Sequence, residues 1–229
     1  MTPAELYNSI KQQMTMADTS ICQLHKPCTA TPACVQPQNH PMLDFDEVEK
    51  RWHQQKGMKS TASVDALSHT GRTLCMIEIK GWKMFLKHQP IAQQSASTPQ
   101  QVNQLTQKIE KQTNSYQLQD KLLKSIEVCE EMSQNNNLPL YMPVAYILVT
   151  DIDPTINAAA VFTQQLNMLA STSSNWETVC AQHLSKRFQQ QTAGMNNIRS
   201  YFIYCKQLDN LLAKLSNCLK TLAIHFYVI

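Results

Sequence analysis

Val64-Asp65 and the run Leu74-Cys75-Met76-Ile77-Glu78-Ile79-Lys80-Gly81 decide how this chain is read. The run is short, apolar and rich in strand formers, and the turn-like Thr70-Gly71-Arg72 precedes it. In a strand alternate side chains point the same way, so Glu78 and Lys80 share one face and Ile79 takes the other. Two opposite charges on an otherwise apolar strand cost free energy unless they pair or hold a metal. If Ser60 to Leu67 forms the partner strand of a hairpin across Ser68 to Thr73, Asp65 and Glu78 converge. Two carboxylates and a lysine at one spot suit a hard divalent cation bound through oxygen, Mg²⁺ before any softer metal. The lysine orients a water or stabilises charge developing on a phosphoryl oxygen.

Asp65 with Glu78-Ile79-Lys80, a preceding amphipathic helix and a following helix and strand together resemble the PD-(D/E)xK nuclease superfamily, the fold of many restriction enzymes, resolvases and repair nucleases. The resemblance covers residues 43–150, and Val64 stands where proline gives the family its name. It implies a mixed α/β protein with a restriction-endonuclease-like core, a central mixed sheet flanked by helices. Residues 1–42 then form an N-terminal helix and a Cys/Pro-rich loop, and 151–229 a C-terminal extension with additional helices. It further implies a metal-dependent nuclease acting on nucleic acid, DNA foremost. Asp65 and Glu78 hold Mg²⁺ or Mn²⁺, with the Ile79 carbonyl completing the ligand set, and Lys80 positions the attacking water. The family often adds an acid from the first helix. Over 43–56, opened by Asp44 or Asp46, Phe45, Val48 and Trp52 form the apolar stripe and Glu49 borders it, whereas Glu47 points away. Glu49 is the catalytic candidate from that helix; the bland reading pairs it with Lys50 or His53 in solvent. For the hairpin acids the bland reading is a turn-capping Asp65 and an ion-pair face of Glu78 and Lys80. The functional rival is a catalytically inactive chain that keeps the fold to bind nucleic acid or protein.

Glycine is scarce and no glycine-rich phosphate loop occurs, which disfavours dinucleotide folds and P-loop NTPases. Net charge is only slightly positive, so any nucleic-acid contact rests on a local basic patch. No apolar run approaches membrane-spanning length, and Met1-Thr2-Pro3-Ala4-Glu5 shows no secretory pattern. A cytoplasmic protein with reduced thiols and no membrane partner is expected, and a homodimer is compatible with this composition. Cys22, His25, Cys28, Cys34 and His40 supply zinc-type ligands in a Pro-rich stretch, but no C-x-x-C pair occurs and an ordinary loop is the preferred reading. The remaining cysteines, Cys75, Cys129, Cys180, Cys205 and Cys218, read as small core hydrophobes.

Further along, Trp82 to Leu86 reads as a third strand, with a helical turn as the alternative. Thr98-Pro99-Gln100-Gln101 opens a helix running to Met132 with a break near Thr113-Asn114-Ser115, and Lys121 and Ser125, one turn apart on it, read as solvated in preference to facing the site or a phosphate. Val144 to Val149 is a buried strand. Asp151 and Asp153 after it read as capping residues in preference to ligands. Helical patterns at 155–170 and 175–190, a strand from Ile198 to Cys205, a helix from Leu208 to Leu222 and a closing strand complete the chain.

Overall fold

A computed structural model describes residues 1–24, 40–94, 98–153 and 175–217, with the backbone of a last strand at 227–228. The hairpin expected from the deciding stretch is present. Strand β2, Ala66–His69, pairs antiparallel with β3, Leu74–Lys80, with Leu67 opposite Met76. A two-residue strand β1, Leu43–Asp44, pairs antiparallel with β2 on its outer side. β3 then pairs parallel with β4, Val144–Thr150, and β4 with β5, Ile198–Tyr204. β6, Tyr227–Val228, closes the row in parallel with β5, so the six strands lie in chain order.

Parallel neighbours need long crossovers, and helices supply them. Between β3 and β4 run α5, Pro99–Asn114, and α6, Leu118–Ser133, and before β5 comes α8, Trp176–Thr192. Between α6 and β4 lies the single turn α7, Leu138–Tyr141. On one sheet face these helices bury Leu74, Met76, Tyr146, Leu148 and Phe202, together with α1, Pro3–Gln13, and α3, Phe45–Gln55. The opposite face buries Cys75, Ile77, Ile147, Val149 and Ile203 under α9, Leu208–Asn217, with Ile21 of the short α2, Ile21–Leu24. Strand alternation therefore sends Glu78, two positions after Met76, to the face covered by α6. The architecture is a mixed α/β sheet flanked by helices. No helix of the described residues is long and apolar enough to cross a membrane.

Two local expectations change. Trp82 to Leu86 is not a third strand: Lys83–Lys87 forms the short helix α4. The Asp151 carboxylate accepts from the Trp82 amide at 2.7 Å and the Lys83 amide at 3.2 Å, supplying from the end of β4 the cap that α4's own residues lack. Asp151 is thus a capping residue, but for the helix after β3. The strand expected from Ser60 starts only at Ala66. Upstream, Val64 donates its amide to Ser125 Oγ at 2.9 Å, and Ser60, Thr61 and Ser63 turn toward acids of α3, so ladder bonds are replaced by side-chain ones. The helix opened at Thr98 breaks where the sequence placed the break, α5 ending at Asn114 and α6 starting at Leu118. Its opening is as read: Thr98 Oγ1 accepts from the Gln101 amide while the Gln101 side chain accepts from the Thr98 amide.

Candidate active site

Asp65 occupies the bend just before β2, and its Oδ2 accepts the Ile79 amide of β3 at 2.5 Å. This one bond sets the Asp65 carboxylate beside Glu78. Lys80 donates to Glu78 Oε1 and to the Ile79 carbonyl, the latter at 3.2 Å, and its ammonium lies 4.0 Å from Asp65 Oδ2. Its charge also stands 5.0 Å from the centre of the Tyr116 ring, a cation–π contact that restrains the lysine. Asp65, Glu78, the Ile79 carbonyl and Lys80 are therefore brought together.

A second lysine completes the cluster. Lys121 on α6 donates to Glu78 Oε1 at 2.8 Å and approaches Asp65 Oδ1 at 3.6 Å. Ser125, one turn later, accepts the Val64 amide and donates to the Lys121 carbonyl at 2.7 Å, which ties α6 to the chain entering β2. Reading these two as solvated was wrong. Lys121 and Ser125 fall on the helix face that packs on β3, and Ser125 is fully buried.

The electrostatics are unbalanced at one atom. Glu78 is 0% exposed, both lysines meet its Oε1, and its Oε2 has no hydrogen-bond partner. Burial raises the Glu78 pKa, the neighbouring Asp65 charge raises it further, and Lys80 and Lys121 only partly oppose them. Burial works against the Lys121 ammonium as well, but the Glu78 and Asp65 charges outweigh it and its pKa lies above the ordinary value.

Glu49, the candidate acid from α3, does not reach the cluster. Glu49 is buried with its carboxylate fully occupied: Thr61 donates through its amide and, at 2.8 Å, its hydroxyl, Ser60 donates at 2.5 Å, and His53 Nδ1 lies 2.9 Å away. Among the described residues no contact joins Glu49 to Asp65, Glu78 or Lys80. Asp46, one turn earlier on the same helix face, is the acid whose charge acts on Asp65 and Lys121. It accepts from Ser63 Oγ at 2.5 Å, and burial foremost, with Asp65 adding to it, raises its pKa. The spacing of Asp46, Glu49 and His53 at three and four residues was the available signal.

For a divalent cation the donor set is all oxygen: Asp65, the partnerless Glu78 Oε2 and the Ile79 carbonyl. That set suits Mg²⁺ or Mn²⁺, and the orphaned buried oxygen is the observation that fits it. No group of three or more His, Cys, Asp or Glu side chains is gathered as a metal site among the described residues. Of the N-terminal zinc-type ligands, His25, Cys28 and Cys34 lie outside the described residues. Cys22 borders a small cavity that it shares with Ile79, Asp151 and Cys205. Comparison with protein-family models, curated proteins and solved structures returns no match.

Proposed function

We propose that the chain is a metal-dependent nuclease of the PD-(D/E)xK type, built on a restriction-endonuclease-like core and hydrolysing phosphodiester bonds of nucleic acid in the cytoplasm. The observation that carries this reading is the buried Glu78 carboxylate, one oxygen unpartnered, set against Asp65 and Lys80 at the end of a hairpin. The element order around it (helix, hairpin, helix, parallel strand) supports the same reading.

Asp65, Glu78 and the Ile79 carbonyl hold Mg²⁺ or Mn²⁺ in this reading. Such a cation supplies Lewis-acid chemistry, polarising the phosphoryl group and easing ionisation of the attacking water. Lys80, restrained by Tyr116 and the Ile79 carbonyl, aims its ammonium at the charge that develops in the transition state. Glu49 holds the Ser60–Thr61 segment that leads into Asp65, and Asp46 is the acid that adds negative charge to the site.

One observation favours a second reading. Lys80 and Lys121 together neutralise Asp65 and Glu78, which equally describes a self-contained ion-pair network in an inactive, nucleic-acid-binding or protein-binding chain. Calorimetric Mn²⁺ titration of the full chain, followed by incubation with mixed DNA and RNA substrates, separates the two. The nuclease reading expects divalent-ion binding that Asp65→Asn weakens, together with cleavage that Asp65→Asn abolishes. A parent chain that binds no divalent ion at millimolar concentration, with or without nucleic acid, overturns it.

A further inference from the structure

Lys121 and Lys80 meet the same carboxylate oxygen but are held differently. Lys80 lies two residues from Glu78 on one strand face, bonds the Ile79 carbonyl and rests on the Tyr116 ring. Lys121 comes from another element, and its ammonium reaches only Glu78 and Asp65 among the described residues. Its backbone is fixed from outside, through Ser125 and the Val64 amide. A long side chain on a fixed helix can swing without disturbing the fold, so Lys121 is the cation free to leave.

The formal charges say when it leaves. Two carboxylates, Asp65 and Glu78, meet two ammonium groups, and Asp46 acts on Lys121 from further off, a balance of one negative charge. Entry of a divalent cation turns that into one positive charge, and the cation and Lys121 then compete for Asp65 Oδ1 and for Glu78. A phosphodiester carries one negative charge and restores neutrality, and an ammonium released beside the site is its natural partner.

We propose that Lys121 is an exchangeable counter-ion, which neutralises Asp65 and Glu78 while the site is empty and passes to a nucleic-acid phosphate oxygen when a divalent cation takes those carboxylates. This rests on the function proposed above and adds a linkage to it. Cation and nucleic acid strengthen each other's binding, because each removes what opposes the other. Lys121 is a positioning residue here, acting on the cation by competition and on the phosphate by pairing.

Two measurements on the full chain test it, with the parent, Lys121→Met and Lys121→Gln compared after thermal melts confirm folding. In calorimetric Mn²⁺ titration without nucleic acid, both variants are expected to bind about tenfold more tightly than the parent, because the competing charge is gone. In Ca²⁺, a fluorescent DNA duplex is expected to bind both variants about tenfold more weakly than the parent, with a shallower salt dependence. Variants that bind Mn²⁺ no more tightly than a binding parent, or DNA no more weakly, overturn the exchange while leaving the proposed function standing. A parent and variants that all fail to bind Mn²⁺ overturn both.

Discussion

Glu49 and Glu78 are both buried carboxylates, yet the structure treats them oppositely. Glu49 is 1% exposed and receives donors from Ser60 and Thr61, neutral groups that together occupy both oxygens. Glu78 is 0% exposed, crowds two lysines onto one oxygen and leaves the other with no partner. A carboxylate satisfied by hydroxyls and amides organises the chain around it and needs nothing more. A carboxylate neutralised by charge, with an orphaned atom, is held in a state that a ligand improves. That difference between two buried acids marks Glu49 as scaffold and Glu78 as part of the candidate site.

Substitution at the site should show the largest effect. Asp65→Asn is expected to lower cleavage by at least about 10³-fold and to weaken Mn²⁺ binding with it, read by gel assay and calorimetry. Lys80→Ala is expected to lower cleavage by about 10²-fold while leaving Mn²⁺ affinity equal or higher, since a neighbouring positive charge is gone. Equal loss of metal binding in both variants would show that the two residues do not divide the work.

The two glutamates themselves give the sharpest contrast in stability. Glu49→Ala removes the buried carboxylate that holds the Ser60–Thr61 segment and is expected to cost about 2 kcal/mol in denaturant unfolding. Glu78→Gln keeps the shape and removes a buried charge, so its unfolding free energy should change by less than about 1 kcal/mol, while Mn²⁺ binding is lost. A Glu78→Gln protein as damaged as Glu49→Ala would make Glu78 a structural residue too.

A solvated acid provides the baseline. Glu131 on α6 accepts from Lys56 and, at 3.0 Å, from Trp52 Nε1, linking α3 to α6 at the surface. These hydrogen bonds, Lys56 first, hold its pKa below 4.5. A depressed carboxylate contributes stability that is present above the unfolded value and lost as pH falls through the lower folded one. Glu131→Gln should therefore cost only about 0.5 kcal/mol at pH 7, given solvent screening, and nothing once the pH lies below the folded pKa. Thermal melts of parent and variant from neutral to acid pH check this, the gap closing only below 4.5.

Some of this was readable because it depends on short-range pattern. Alternation along 74–80 put Glu78 and Lys80 on one face, the capping box at Thr98 and Gln101 is a local exchange of hydrogen bonds, and the unbroken apolar run at 144–149 is a buried parallel strand. The pairing of the deciding stretch with its hairpin partner followed from the same period. Periodicity thus determined individual strands and two of the residues that meet on β3, while the mixed α/β sheet was what the resemblance carried by those residues implied.

Tertiary structure decided the rest, because the partners lie far apart in the chain. Nothing local to Trp82–Leu86 reveals that Asp151 will cap it and make a helix of an apolar segment. A helical wheel ranks Glu49 above Glu47 by the apolar stripe alone and leaves Asp46 as a helix opener. Residues 60–63 decide how the acids of α3 are used, Ser60 and Thr61 occupying Glu49 while Ser63 holds Asp46, whose charge acts on Lys121. Lys121 looks like any solvated helix lysine until α6 lies on β3 and a buried carboxylate appears beneath it. Side-chain period is a property of neighbouring residues and survives in sequence. Which distant groups must satisfy a buried charge is settled only when elements pack and water is removed, and the candidate site is made of such groups.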